Sequence, residues 1–248
     1  MARMFPLHER TRRRVGLAIF VALSAVPAVF ILLWGLHRQM PWHASAEARQ
    51  LARLLGLRVQ IEHIWHAKPG QWHYNGFSLH DPEDDRCLFR CERLEVTRTK
   101  PKSDSPTTLL LHAHNPTTDP SGANALFQLL WRAMQAQIGP KPLDVQWTAD
   151  RLAFGPSDAP IQLEDLSGSM KSQPEAVLSQ LQFRLAGSAS AEPAHIELHR
   201  NRQTSPAGVE LKLYTGAGPL PCRLLAVGLP AFQTPGPDCR FRGYLRAD

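Results

Sequence analysis

The chain has 248 residues, of which 43% are hydrophobic and 20% charged, so it is too apolar for a disordered chain. Its length allows one large domain or two small ones. Residues 1–14 hold five arginines and one glutamate, which account for +4 of the formal net charge of +6. The remaining charges are mixed in sign, so the composition gives no support for nucleic-acid binding.

Residues 15–36 follow this basic stub and contain no charged side chain. About 20 apolar residues suffice for an α-helix to cross a bilayer, so the segment predicts a transmembrane helix. Arg12, Arg13 and Arg14 directly before it predict a cytoplasmic N-terminus and an extracytoplasmic remainder. A cleaved signal peptide is the alternative, with Ala44-Ser45-Ala46 as its cleavage site. The apolar run is longer than that of a typical signal peptide, which favours an uncleaved anchor.

After the anchor, residues 37–56 predict an amphipathic linker helix. Its apolar side chains gather on one side over 43–55, and Gly56 ends it. Packing under a sheet is the favoured role of this helix, and a position on the bilayer surface is the alternative. Residues 57–248 then predict an extracytoplasmic β-rich domain, which begins with an alternating strand over 57–65.

Within this domain the pattern predicts short strands, a core-facing helix over 121–137 and a short helix over 221–227. Apolar positions on the two sides of Asn75-Gly76 differ in phase, which predicts a turn or bulge that resets the face of the strand. The fold class is therefore mainly β with a few helices (α+β), in which an N-terminal transmembrane helix is followed along the chain by an antiparallel sheet. A sandwich, an open groove-shaped sheet and a barrel are the alternatives for that sheet.

The four cysteines are Cys87, Cys91, Cys222 and Cys239. Outside the cytoplasm they would meet oxidising conditions, where disulfides persist. Four cysteines allow three pairings. A disulfide between Cys222 and Cys239, which would close a proline-rich loop, is the favoured one, and four small apolar residues are the alternative.

Histidines are the side chains that could bind a metal ion, and six of them stand out: His63, His66, His73, His80, His112 and His114. The last two lie two positions apart on a predicted strand and share one face, and imidazole suits zinc or copper. The first four fall within 18 residues, near Cys87 and Cys91, but on different strands and turns. The favoured interpretation is partly exposed histidines on a polar sheet face, with no metal ion and no cofactor.

The sequence contains no pattern typical of an enzyme active site. It has no G-x-S-x-G or S-x-x-K nucleophile motif, no phosphate-binding loop and no dinucleotide fingerprint. The acidic residues over 81–85 resemble a calcium loop only in part, so they predict a solvated turn. We expect a protein without enzymatic activity.

The first third of the chain resembles the N-terminal part of AsmA-like envelope proteins. The resemblance covers residues 15–96 and includes Leu55-Gly56-Leu57-Arg58-Val59-x-Ile61, Lys68-Pro69-Gly70 and the stretch from Asn75 through Asp81-Pro82-Glu83. It implies a single-pass inner-membrane protein that faces the periplasm, with a groove-shaped sheet and no catalytic residues. It also implies a role in outer-membrane biogenesis or phospholipid movement, with the bilayer, phospholipid or envelope proteins as partners.

If the sheet forms such a groove, its candidate lining residues are Trp65, Trp72, Phe77 and Leu79. About ten strands at about 4.8 Å each make a sheet of only about 50 Å, which favours a short groove over a full conduit between membranes. The alternative function is a membrane-tethered β-sandwich scaffold that binds other proteins and has no lipid ligand.

Overall fold

The computed structural model describes residues 9–38, 41–99, 106–135, 143–156, 160–187, 192–203, 209–216, 218–226 and 239–247. The chain divides into two units, an N-terminal segment that ends at His43 and a body that begins at Ala44. The fold class is mainly β with a few helices, as predicted. Among the described residues, one helix is long and apolar enough to cross a membrane.

This apolar helix belongs to the N-terminal segment and comprises α1 (Glu9–Phe20), a π-helical turn (Val21–Ala25) and α2 (Val26–Arg38). The part of it that is long and apolar enough to cross a membrane is Arg13–Leu33. The π-helical turn ends two residues before Pro27, which lacks an N–H and whose ring conflicts with the carbonyl four residues earlier, inside that turn. The widened turn accommodates this conflict without ending the helix.

The remaining elements form or join the body. In chain order they are α3 (Pro41–Leu55), β1 (Arg58–Gln60), β2 (His63–Lys68), β3 (Gln71–His80), β4 (Cys87–Thr99), β5 (Thr107–His114), β6 (Thr117–Thr118), α4 (Pro120–Gln135), β7 (Leu143–Phe154), β8 (Ile161–Ser172), β9 (Ala176–Leu185), β10 (Ala194–Asn201), β11 (Val209–Tyr214), β12 (Leu220–Pro221), α5 (Cys222–Leu225), β13 (Arg240–Phe241) and β14 (Tyr244–Ala247).

Twelve of these strands form one sheet in the order β1-β3-β4-β5-β7-β8-β9-β10-β11-β14, in which β2 pairs with β3 and β6 pairs with β4 and β7. Most neighbours are antiparallel, but β5 and β6 run parallel to β7. The prediction of an antiparallel sheet is therefore wrong for the pairing of β7 with β5 and β6. Helix α4 connects β6 to β7 as a crossover, so β7 runs in the same direction as β5 and β6. The described residues form one large sheet and a separate pair, β12-β13, rather than a sandwich.

Helix α3 packs on the apolar face of the sheet. Ala44 and Ala48 are buried against a cluster that includes Val59, Phe77 and Cys91. The Tyr74 hydroxyl donates a hydrogen bond to Glu47 Oε1 over 3.4 Å. The predicted amphipathic helix and its packing under the sheet are confirmed.

Helix α4 crosses the same face from β4 to β10. Its Gly122 lies against the Leu88 carbonyl of β4, and Met134 near its other end is buried with Val177 and Leu198 of β9 and β10. Sixteen helical residues measure about 24 Å, which equals about five interstrand spacings. The length of α4 therefore sets how many strands lie under it.

A line of irregular backbone, here called the crease, crosses the sheet through Gly76, Asn115 and Asp165. These residues have positive φ of 60°, 48° and 51°. Buried residues change phase across it, from Tyr74 to Phe77 in β3, which confirms the predicted reset. The strand predicted over 57–65 is split into β1 and β2 because both parts pair with β3 on opposite sides of this reset.

Candidate functional site

The apolar face carries a row of large side chains in direct register across four strands. Trp72 pairs with Val96, Val96 with Leu111, and Leu111 with Trp147. All four are half-buried rather than buried. We call this set the apolar row. Because paired residues point to the same side of a sheet, it forms a continuous strip across β3, β4, β5 and β7.

Three of the four predicted groove residues lie on the apolar face. Phe77 and Leu79 are only 6% and 4% exposed in the cluster under α3, and the half-buried Trp72 of the apolar row packs against that cluster. Trp65 is 63% exposed and pairs with His73 on the opposite face. Its predicted place in the groove is wrong, because the break between β1 and β2 shifts the alternation by one residue.

The polar face carries a group of side chains that we call the histidine–carboxylate cluster: Glu95, His112, His114, Thr148 and Asp150. Strands β4, β5 and β7 position it, since His112 pairs with Glu95 on one side and with Thr148 on the other. His114 and Asp150 each lie two residues further along their parallel strands and stay on the same face. The cluster lies beside the crease, which passes through Asn115, the residue that follows His114.

Two histidines of this cluster converge on one carboxylate. His114 Nδ1 lies 2.8 Å from Asp150 Oδ2, and His112 Nε2 lies 3.2 Å from Asp150 Oδ1. The two imidazole rings stand edge to face with centroids 4.4 Å apart. His112, His114 and Asp150 form a group with metal-binding geometry, in which all three ligand atoms lie within 4.8 Å of one another.

The other nitrogen of each imidazole also has a polar partner. His112 Nδ1 lies 2.7 Å from Thr148 Oγ1, and His114 Nε2 lies 3.3 Å from Glu95 Oε1. Thr148 Oγ1 in turn donates to the Leu111 carbonyl oxygen over 3.5 Å. The side chains of His112 and His114 are 33% and 30% exposed, so solvent reaches the cluster.

Of the remaining predicted histidines, His73 lies at the edge of the cluster, with its Nδ1 3.8 Å from Glu95 Oε1, and the other three are not brought together in one site. His63 pairs with Asn75 and His66 with Trp72, on opposite faces of the sheet. His80 Nε2 accepts a hydrogen bond over 3.0 Å from Ser78 Oγ, because His80 Nδ1 donates to the Asp85 carbonyl. Ser78 is only 8% exposed, so this serine–histidine pair satisfies a nearly buried hydroxyl.

The acidic residues over 81–85 form a turn, as predicted. The backbone N–H of Glu83 donates to Asp81 Oδ1 over 2.9 Å, and that of Arg86 donates to Asp84 Oδ1 over 3.0 Å. Asp85 pairs with Arg58 at 2.9 Å. These contacts use the carboxylates to close the turn, and the side chains of Asp84 and Asp85 remain more than half exposed.

The structure joins Cys222 to Cys239 in a disulfide, the pairing that the sequence favoured. Cys87 and Cys91 are free, the first exposed and the second buried. Burial raises the pKa of the Cys91 thiol to about 12, so it stays protonated at neutral pH. Cys91 is therefore an apolar core residue.

Comparison with protein-family models, curated proteins and solved structures gives no match to this chain. The resemblance of residues 15–96 to AsmA-like proteins therefore stays a prediction. The features of the chain itself that bear on function are the apolar helix, the apolar row and the histidine–carboxylate cluster.

Proposed function

We propose that this chain is a single-pass inner-membrane protein of the bacterial cell envelope whose periplasmic sheet binds the acyl chains of phospholipid. Its N-terminus lies in the cytoplasm, and it acts by binding rather than by catalysis. The apolar row is the observation that carries this proposal. The AsmA-like pattern of residues 15–96 adds support, because that family is linked to phospholipid movement and outer-membrane biogenesis.

The chemistry of the row suits an acyl chain. It consists of two indoles and two branched aliphatic side chains on neighbouring strands, with no charged group in the row itself. Burying apolar surface contributes about 25 cal/mol per Å², without any requirement for hydrogen-bond geometry. A flexible hydrocarbon chain laid across the strands fits such a strip.

The apolar helix supports lipid over other apolar ligands, because an anchor in the bilayer keeps the body beside a continuous supply of phospholipid. The polar face has the opposite character and carries ion pairs such as Arg151–Glu164 at 2.7 Å. Because one face of the sheet is apolar and the other is charged, an acyl chain binds on the apolar face only.

Two adjacent leucines provide a matched test. Leu111 belongs to the apolar row, whereas Leu110 is 39% exposed on the polar face of the same strand. We would place a photo-crosslinking amino acid at either position in the full-length protein, irradiate membranes and identify the products by mass spectrometry. Phospholipid adducts are expected from position 111 and not from position 110.

Equal lipid labelling at both positions would mean nonspecific contact with membrane or detergent and would contradict the proposal. Labelling of protein alone at position 111 would favour the alternative of a membrane-tethered scaffold. Extraction of the purified full-length protein gives a second measurement. Co-purifying phospholipid should decrease when Leu111→Asp places a charge in the row and should stay unchanged with Leu110→Asp.

A further inference from the structure

We propose that His112, His114 and Asp150 on the polar face bind a divalent transition-metal ion, with Zn²⁺ as the representative. The ligands are His112 Nε2, His114 Nδ1 and a carboxylate oxygen of Asp150. This set of two imidazoles and one carboxylate suits first-row divalent ions, zinc and iron among them. The site lies on the opposite face from the apolar row and does not depend on lipid binding.

The ligand atoms already stand at metal-binding separations. In a tetrahedral site with bonds of about 2.0–2.1 Å, neighbouring ligand atoms lie about 3.3 Å apart. The nitrogen atoms of His114 and His112 lie 2.8 and 3.2 Å from the two Asp150 oxygens. Small side-chain rotations therefore admit the ion, and the paired strands β5 and β7 hold the three ligands without backbone movement.

The outer nitrogens have the partners that metal-binding histidines use. A ligating imidazole generally donates its other N–H to a carboxylate, a carbonyl or a similar acceptor, which fixes the ring and its tautomer. Glu95 Oε1 takes this place for His114, and Thr148 Oγ1 takes it for His112. Thr148 can donate its own hydrogen to the Leu111 carbonyl, and in that arrangement its lone pair accepts from His112.

The tautomers of His112 and His114 distinguish a metal-bound site from a metal-free one. A neutral imidazole has a single N–H. If His112 and His114 donate that hydrogen to Thr148 and Glu95, both nitrogens that face Asp150 carry lone pairs that a metal ion can use. Without a metal ion, His112 Nε2 and His114 Nδ1 can instead donate to Asp150, with the Thr148 hydroxyl donating to His112 Nδ1. This metal-free tautomer is the specific alternative that an experiment must exclude.

Three protein ligands leave at least one coordination position open, and the Asp150 side chain is 51% exposed. Water or a small anion completes such a site. The open position distinguishes it from a closed structural zinc site with four protein ligands.

The test uses the full-length protein in detergent, freed of metal with a chelator and titrated with Zn²⁺ at neutral pH against a chromophoric competitor. We expect binding of one ion and a higher unfolding temperature with zinc. Glu95→Gln and Thr148→Val should weaken binding by about 10- to 100-fold. Asp150→Asn and His114→Ala, which remove ligands, should weaken it further.

His195→Ala is the matched control, because His195 also faces a carboxylate, Glu197, at 3.8 Å on the polar face, but among the described residues this pair belongs to no group of three metal-ligand side chains. It should bind zinc as the unaltered protein does. Cys87→Ser tests for a thiolate site and should also leave binding unchanged. Circular dichroism of each variant without metal separates loss of a ligand from loss of the fold.

Nitrogen-15 spectra of the histidine side chains give a readout that does not depend on affinity. Zinc should shift Nε2 of His112 and Nδ1 of His114, opposite nitrogens of the two rings, and leave the N–H of each ring on its other nitrogen. Spectra in which the nitrogens that face Asp150 keep their hydrogens in the presence of zinc would overturn the proposal. Undiminished binding by Asp150→Asn, or binding lost in Cys87→Ser, would overturn it as well.

Discussion

The indole of Trp147 lies directly over Gly168, its partner on the neighbouring antiparallel strand. A Cβ atom at position 168 would lie 2.1 Å from Cε2 of the ring. A glycine in the middle of a strand usually weakens it, but here the bare backbone provides the surface on which the aromatic ring rests. Trp147 is the last residue of the apolar row.

Gly168→Ala should therefore destabilise the body by about 1–3 kcal/mol, the usual cost of overpacking. The cost should decrease when the ring is removed, so Trp147→Leu with Gly168→Ala should be less destabilised than the two single changes together. The measurement is a double-mutant cycle of denaturant unfolding of the full-length protein in detergent. Strictly additive costs would show that the two residues do not interact.

A second close contact fixes the start of α4. The Asp119 side chain accepts a hydrogen bond over 2.6 Å from the backbone N–H of Gly122, as expected of a helix N-cap before Pro120. A Cβ on Gly122 would lie 1.7 Å from the Leu88 carbonyl oxygen and 2.6 Å from Thr118 Oγ1. Neither backbone nor hydroxyl can yield without breaking the hydrogen bond from Thr118 to that carbonyl.

Gly122→Ala should thus lower the unfolding free energy by about 3 kcal/mol, at the upper end for overpacking, although alanine is the better helix former. Asn124→Ala is the control, because Asn124 is exposed on the same helix and should change stability by no more than about 0.5 kcal/mol. Equal stabilities of the two variants in denaturant unfolding would contradict the close approach of α4 to β4.

Stability should decrease in alkali because of Cys91. Burial raises the pKa of this thiol from 9.0 to about 12, so between these values the unfolded chain loses the proton and the native protein keeps it. The unfolding free energy contributed by this group is thus fully present below pH 9 and declines above it, with a slope of up to about 1.4 kcal/mol per pH unit. Tyr74, whose pKa is raised by burial and by Glu47, acts in the same direction.

The measurement is the unfolding free energy of the full-length protein between neutral and alkaline pH. Cys91→Ala leaves a cavity and lowers stability at every pH, but it should flatten the alkaline decline, since the titrating group is gone. Parallel curves for the two proteins would show that the Cys91 thiol does not carry the decline.

The sequence predicts correctly those elements that depend only on residues within the element itself. The apolar helix, α3, α4 and the phase reset at Gly76 follow from hydrophobic periodicity and from a residue that tolerates positive φ. The break between β1 and β2 cannot be predicted from residues 57–65 themselves, because it is caused by the pairing of both strands with β3. Without the break, the alternation of residues 57–65 would place Trp65 on the apolar face, which is wrong.

The histidine–carboxylate cluster was readable only in part for the same reason. The spacing of His112 and His114 put both imidazoles on one face, but Asp150 lies 36 residues after His114. It reaches that face only because α4 makes β7 parallel to β5 and sets their register. Glu95 and Thr148 join through the same strand order, so none of the three acceptors carries a signal in the linear sequence.

The last prediction concerns the anchor, on which the proposed location depends. Ala22→Arg and Val26→Arg change positions in the middle of the apolar segment Arg13–Leu33, and each should cost about 2.5–3.5 kcal/mol at the centre of a transmembrane helix. The doubly substituted protein should fail to insert, stay in the cytoplasm and keep Cys222 and Cys239 reduced, since thiols persist there. Fractionation and thiol labelling measure both effects, and Ala22→Leu with Val26→Leu is the matched control that should behave as the unaltered protein does.

Two outcomes would contradict the prediction that this segment is the membrane anchor. One is an arginine-substituted protein that remains in the membrane fraction with the disulfide formed. The other is an unaltered protein whose mature N-terminus is Glu47, which would show that the segment is a cleaved signal.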